Sequence, residues 1–388
     1  MNTSFRFKFI VFLLALQFFT QILLAQNFAL TDDNWQIINN DNYENLEFKT
    51  VEFKGKQAIH LGRHQIALLN NKEYENFVLE ADIAGGSMPG IGFRANNLFD
   101  YEYLYFRTFY GDGKNQEAIQ YIPIFNGSQA WQLYNYPHYE TSANFKPMEW
   151  FHVKLEVSGV YMKVYVGDMG QARLTVKLLQ DELKSGDFFF KTTFADAYYA
   201  NVEIKPLDTS FSMDNKASEE KYISHWDACP QIDINPSTQN SIYQALNKAY
   251  EDGFWKPVVA DEKGLLNLSK FYSFPKQGSF VKTIIKSDKD QEVELIYDYT
   301  YSMTILLNGT ILFSGKELDT SNFMRVMDGE ERLKLSLKKG ENELIFLIQS
   351  DEEWQVGAGN PTYLGRMQAM NWGFIAKLSS YEGIEMQN

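Results

Sequence analysis

The sequence predicts an all-β protein made of two β-sandwich jelly rolls in tandem, and three observations carry that expectation. Apolar and polar residues alternate over short runs, tyrosine, phenylalanine and threonine are abundant while helical spacing is rare, and a stretch poor in apolar residues at 207–220 separates two patterned halves. A chain of 388 residues with 45% apolar and 15% aromatic content supports two cores of ordinary domain size.

Residues 1–25 read as a secretory signal: Arg6 and Lys8 precede the apolar runs Phe9 to Leu16 and Phe18 to Leu24, with cleavage placed after Ala25. Gln17, Thr20 and Gln21 interrupt the run and argue against a retained membrane anchor. No cysteine follows it, which argues against a bacterial lipid anchor. Loss of the two basic residues takes the net charge from −14 to −16, a poor match for nucleic acid or an anionic membrane. The expected location is secreted or periplasmic, with no membrane insertion once the signal is removed. Cys229 is the single cysteine, so no intrachain disulfide forms and stability rests on burial; Cys229 itself reads as a buried hydrophobe.

The first sandwich is placed at 26–206. Trp35, Phe48, Val51, Phe53, Ile59, Leu61, Ile66 and Leu68 are its opening inward candidates. In FVLEADI, Phe77, Leu79, Ala81 and Ile83 alternate with Val78, Glu80 and Asp82, so a strand buries the first set and presents acids on its other face. In GIGFRA, Ile91, Phe93 and Ala95 oppose Gly90, Gly92 and Arg94. Tyr101 to Phe109 carries large rings on both sides: Leu104 and Phe106 share one face with Glu102 and Thr108, and Tyr101, Tyr103, Tyr105, Arg107 and Phe109 share the other. Trp150 to Val157, a turn at Ser158-Gly159 and Tyr161 to Val166 form a hairpin with one wet face. Phe188 to Thr193 and Tyr198 to Ile204 supply two more strands, and 207–220 is the linker.

The second sandwich is placed at 221–388. A short helix is expected at Ser241 to Tyr250, and strands at Phe280 to Lys286 and Val293 to Tyr299. Asn308-Gly309, set between Ile305-Leu306-Leu307 and Ile311-Leu312-Phe313, supplies the positive φ angles of a tight hairpin turn. Leu333 to Leu337, a turn at Lys339-Gly340-Glu341-Asn342, Leu344 to Ile348 and Trp372 to Leu378 complete the unit.

If Leu104 and Phe106 fill the first core, the tyrosines and Arg107 line an outer sheet face beside Arg94, Glu80 and Asp82. Flat rings with fixed donors and acceptors suit sugar C–H faces and hydroxyls, which makes Arg94, Tyr103, Tyr105, Arg107, Gln120 and Trp131 the expected ligand-binding residues. The competing expectation is that these rings only pack under a loop or against the second sandwich, since tyrosine is a favoured strand residue.

At YENFVLEADI, GIGFRA and EWFHVKLEVSGVYMKVYVGD the first unit resembles the concanavalin A-like lectin/glucanase sandwiches, nearest to laminin G-like and 3-keto-disaccharide hydrolase-like domains. The resemblance implies a jelly roll with its ligand site on the concave face, and Arg94 is the residue carried over to that face. FVKTIIKSDKDQEVELIYDYTYSMTILLNGTILFSG, LKKGENELIFLI and WGFIAKL resemble the galactose-binding-like domain of family 2 glycoside hydrolases, which implies an accessory role.

A retaining glucanase on the first fold carries E-x-D-x-x-E on one strand, because double displacement needs carboxylates ~5 Å apart. Here Glu80 and Asp82 stand at the first two positions, but Gly85 occupies the third, so the acid/base is missing and the half motif reads as a surface pair or as part of an ion pair with Arg94 or Arg107. The catalytic alternative has Glu80 or Asp82 as base, with Arg94 or Arg107 holding an oxyanion. His60 and His64 are spaced as ligands only on a helix, and Ile59-His60-Leu61 reads as a strand, so no transition metal is expected. No cofactor is expected either. A structural calcium ion is left open by the acidic turn at Asp112, Asn115 and Glu117, although no loop matches an EF-hand. The leading expectation is a carbohydrate-binding protein whose partner is an oligosaccharide or polysaccharide. The alternatives are a glycoside-cleaving enzyme and an adhesion or structural protein.

Overall fold

The structure, a computed structural model, describes residues 26–70, 73–180, 182, 185–207, 211, 221–232, 238–272, 278–316, 325–329, 331–349 and 373–386. The signal-like stretch and most of 207–220 lie outside the described residues. The protein is all-β, with antiparallel sheets in each half and a helix at Gln239–Asp252.

The N-terminal sandwich packs two eight-stranded sheets. Across the first run Leu174–Lys177, Tyr161–Val166, Phe151–Ser158, Phe77–Gly85, Ala197–Pro206, Lys56–Leu61 and Thr50–Phe53, with Gln26–Asn27 beside Ala197–Pro206. Across the second run Glu140–Thr141, Ile119–Ile124, Asp100–Phe106, Gly90–Asn97, Asp187–Lys191, Gln65–Leu69, Trp35–Asn39 and Asn45–Leu46. The alternation read from FVLEADI holds, with Phe77, Leu79, Ala81 and Ile83 buried in the core. Three ring pairs tie the sheets together: Phe77 with Phe93, Phe151 with Phe106, and Tyr199 stacked on Phe190 at 4.1 Å. Glu102 lies in this core with no exposure, accepting from the Tyr121 hydroxyl at 2.6 Å and from the Gln180 backbone N–H at 3.2 Å. A carboxylate buried this deeply needs those donors.

The glycines of GIGF have a packing reason. A Cβ on Gly90 would stand 2.2 Å from the Tyr103 hydroxyl, and one on Gly92 would stand 2.2 Å from the Phe189 ring, so the bare backbone lets both rings lie across the strand. Gly92→Ala is expected to cost roughly 1–3 kcal/mol by overpacking, read as a lowered midpoint in thermal denaturation. An unchanged midpoint would mean that the ring moves aside freely.

The C-terminal sandwich sets a seven-stranded sheet against a four-stranded one. Trp226 and Phe346 of the larger sheet meet Phe374 of the smaller with centroids 5.1 and 5.0 Å apart. The outer face of the larger sheet is apolar at Phe280, Leu306, Ile345 and Leu347, and Ile242, Leu246 and Ala249 of the helix cover it together with Cys229. Thr238 caps the start of that helix and Gly253, at φ 68°, ends it. Asn308 and Gly309 take φ of 50° and 78°, as the hairpin requires.

The two sandwiches meet over the segment from Phe125 to Glu140. Leu133 of this segment lies against Gly373, and Leu265, Val326 and Ile375 of the C-terminal half join the N-terminal core. Polar links cross as well: Asn126 Nδ2 donates to the Ser269 carbonyl at 2.8 Å, and the Val326 N–H donates to the Gln132 carbonyl at 3.0 Å.

Candidate functional site

The rings expected to face solvent are enclosed. Tyr103 and Tyr105 are each 2% exposed, and Tyr101 is buried with them, so both faces of Asp100–Phe106 are dry. This overturns the open tyrosine face and agrees with the competing expectation, that the rings pack under a loop or against the second sandwich. Gln120 faces Tyr105 across the ladder, and its amide nitrogen, Nε2, donates to the carbonyls of Trp131 at 2.9 Å and Tyr134 at 2.6 Å. The 3₁₀ turn Trp131–Leu133 is thereby fastened over that part of the sheet. Farther along the same face, Lys191 turns its Nζ to the Tyr101 hydroxyl at 2.8 Å. Burial raises the phenols, taking Tyr105 up to about 12.

Four of the six expected binding residues nevertheless come together. The Tyr105 hydroxyl donates to Gln120 Oε1, and Arg107 Nη2 donates to the same oxygen at 2.8 Å and to the Tyr105 hydroxyl at 3.1 Å. Arg107 also lies 5.7 Å from the centroid of the Trp131 indole. On its other side Arg107 Nη1 donates to the Glu117 carbonyl at 2.5 Å and reaches Glu140 Oε1 at 3.3 Å.

Two further residues complete the constellation, and the sequence reading missed both. Glu140 is 1% exposed and bridges Arg107 to Arg325, which enters from the C-terminal sandwich and donates to Glu140 at 2.8 and 3.2 Å. Arg325 also lies 3.1 Å from Glu117 Oε2, donates to Asn135 Oδ1 at 2.6 Å and stands 5.0 Å from the Trp131 centroid. Burial pushes the Glu140 carboxyl above its ordinary value although Arg325 and Arg107 pull it down. Burial also works against the Arg107 guanidinium, but Tyr105, Glu140 and Glu117 outweigh it and hold that group above its ordinary value. The available signals were single charges in apolar surroundings: Glu140 ends the run Tyr134 to Tyr139, and Arg325 stands between Met324 and Val326.

Around this fixed charge network lie rings with accessible area. Trp131 and Tyr110 are half-buried, while Phe109 and Tyr136 are 47% and 50% exposed. Each is tied to the network: the Tyr110 hydroxyl reaches Glu117 at 3.4 Å, Phe109 packs edge-on against Tyr110, and the Tyr136 N–H donates to Glu140 at 3.2 Å.

Tyr103 stacks on Tyr105 with ring centroids 5.4 Å apart, while the other expected residues stand elsewhere. Arg94 is buried and spends its Nε and Nη2 on the Glu75 carbonyl at 3.1 and 2.6 Å, so it braces a loop and lines no open face. Glu80 and Asp82 belong to the sheet opposite the tyrosines, which separates them from Arg94 and Arg107. Their partners are His152, at 2.9 Å from Asp82 and 3.3 Å from Glu80, with Lys56 and Asn201 on Asp82 and Lys205 near Glu80. The carboxyl of Asp82 is held below its ordinary value; burial opposes the shift, and hydrogen bonds from Lys56, His152 and Asn201 overcome it. Asp112 closes its own turn on the Lys114 and Asn115 N–H groups, and Glu117 turns to Arg325. His60 pairs with Asp196 and His64 with Asp41. Among the described residues no cluster of His, Cys, Asp and Glu is arranged to hold a metal ion, and no helix is long and apolar enough to cross a membrane.

No protein-family profile matches the chain, and no curated protein does. Among solved structures it is similar to the carbohydrate binding module CBM66 from Bacillus subtilis, with 14% identity over 44% of this chain and 95% of that one and a TM-score of 0.33. It is also similar to domain 4 of AbnA, a GH43 extracellular arabinanase from Geobacillus stearothermophilus, in complex with arabinotriose, with 12% identity over 44% and 82% and a TM-score of 0.31. A third is the Ca2+/Man-bound exoplasmic/lumenal domain of VIP36, with 9% identity over 50% and 94% and a TM-score of 0.31.

Proposed function

We propose that this chain is an exported carbohydrate-binding protein whose glycan site is built around Trp131, where the two sandwiches meet. One observation carries the reading: a half-buried indole is held beside two guanidinium groups that a buried carboxylate, Glu140, fixes in place. Rings of this kind cover the C–H faces of a pyranose, and Glu117 and Tyr110 supply an acceptor and a donor for hydroxyls. Covering half the indole removes ~100 Å² from water, roughly 2.5 kcal/mol gross, which is below the ~4 kcal/mol of millimolar binding. Polar contacts to the partly exposed Glu117 carboxylate and the Tyr110 hydroxyl supply the rest. In this reading the N-terminal sandwich is of the concanavalin A-like type, and the galactose-binding-like C-terminal sandwich is more than accessory, because Arg325 comes from it.

Binding to a glycan array, followed by calorimetry on the best oligosaccharide, is the test. Trp131→Ala is expected to weaken that binding at least ~10-fold with the circular dichroism spectrum unchanged. Equal affinity in the variant, or retention of no glycan by the wild type, removes the proposal. A second reading rests on His152, which bridges Asp82 and Glu80 on the other sheet. If the wild type releases product from a 3-keto-disaccharide and Glu80→Gln does not, the glycoside-cleaving activity belongs there.

A further inference from the structure

A cleft of about 200 Å³ opens between the sandwiches on the side lined by Phe125, Tyr134 and Leu179 of the N-terminal half and Asp261, Asn267 and Phe271 of the C-terminal half. Of these residues only Tyr134 touches the Trp131 network, and it does so through its backbone, whose carbonyl accepts from Gln120. The polar groups in it are already held in place. Asp261 Oδ1 accepts the N–H groups of Lys263 and Leu265 at 2.8 and 3.0 Å, and its Oδ2 accepts from the Tyr139 hydroxyl at 3.0 Å. Asn267 Oδ1 accepts the Ser269 N–H, and its Nδ2 donates to the Tyr134 hydroxyl at 2.9 Å, which leaves the phenol proton of Tyr134 to donate in turn. The rim carries Lys177 paired with Glu262 at 3.0 Å and Lys270 beside the Phe125 ring. Two acids and two lysines line the cleft, so it carries no net charge and does not select an ionic ligand.

Size narrows the occupant. Clefts for drug-sized ligands run from ~300 to 1,000 Å³, so this one has room for a single small ring and not for a chain. Aromatic walls with a fixed acceptor and a fixed donor between them suit a molecule that has both C–H faces and hydroxyls. We infer that the cleft between the sandwiches is a second binding site that takes one neutral sugar ring, with Phe125 and Phe271 against its faces and Asp261 and Tyr134 on its hydroxyls. This inference stands on the cleft alone and does not depend on Trp131 binding a longer glycan.

Saturation-transfer NMR on the full chain, with separate samples of glucose, galactose, mannose, xylose and arabinose at millimolar concentration, tests it. At least one monosaccharide is expected to show transfer that is lost in Phe271→Ala and kept in Trp131→Ala. Tyr134→Phe keeps the ring and removes the hydroxyl, so it guards against a variant that merely unfolds; it is expected to weaken binding ~10-fold with the circular dichroism spectrum unchanged, although the Asn267 amide left without its acceptor lowers the melting temperature by a few degrees. Absence of transfer from all five sugars overturns the inference. So does transfer that survives Phe271→Ala, or transfer that disappears only in Trp131→Ala.

Discussion

Glu140→Gln is expected to cost roughly 3–5 kcal/mol, because it removes the charge that compensates two guanidinium groups in a site closed to water. Glu140 is 1% exposed, and both Arg107 and Arg325 lean on it, so the glutamine leaves their charges desolvated with only the partly exposed Glu117 carboxylate near Arg325. The loss falls on the junction, since Arg107 belongs to one sandwich and Arg325 to the other. Urea unfolding followed by tryptophan fluorescence should therefore change from one transition to two, with the weaker sandwich melting first. The double variant Glu140→Gln, Arg325→Met removes one charge from each sign and is expected to recover part of the loss. A change below ~1 kcal/mol for Glu140→Gln would mean that water reaches the network.

Lys191→Met is expected to stabilise the protein at neutral and acidic pH. The lysine is 3% exposed, and burial takes its amine down to about 7. Its folded value lies below its unfolded one, so between about pH 7 and 10.5 the unfolded chain holds a proton that the folded chain has released. Stability accordingly rises with pH through that window, and below pH 7 the whole penalty is present. The penalty is on the order of 4–5 kcal/mol, offset in the variant by roughly 1–3 kcal/mol when the Tyr101 hydroxyl loses its amine partner. Urea midpoints at pH 6, 7, 8 and 9 should climb in the wild type and stay flat in Lys191→Met. Parallel slopes in the two proteins would show that the amine keeps its water when folded. The same amine lies 5.5 Å from the centroids of both Tyr101 and Tyr103, which explains how the chain tolerates it there.

Many of the strands of both sandwiches were legible from local pattern, whereas their order in the sheets was not. FVLEADI, the hairpin after Trp150 and the Asn308-Gly309 turn each announce themselves, because strand periodicity and positive-φ turns are properties of a few adjacent residues. The expected helix at Ser241 to Tyr250 extends to Gln239–Asp252, since Thr238 and Gly253 cap it just outside the apolar positions. The short strands Glu140–Thr141, Leu174–Lys177 and Leu265–Asn267 carried too few residues for alternation to show. The grouping of Tyr105 with Arg107 also came from pattern, because a period of two dictates which side chains share a face; Gln120 and Trp131 were expected only nearby, and the ladder and the turn bring them in.

By itself the sequence determined that the chain is all-β, which residues stand on each face of Asp100–Phe106, and that rings and arginine gather on one of them. Only the tertiary structure decided that this face is closed. A strand with rings on both sides has the same alternation whether its second face meets water or protein, and what covers it comes from distant places: the turn Trp131–Leu133 through Gln120, and Arg325 from the other sandwich through Glu140. Burial is a property of what packs on a surface, and no periodicity within nine residues encodes that.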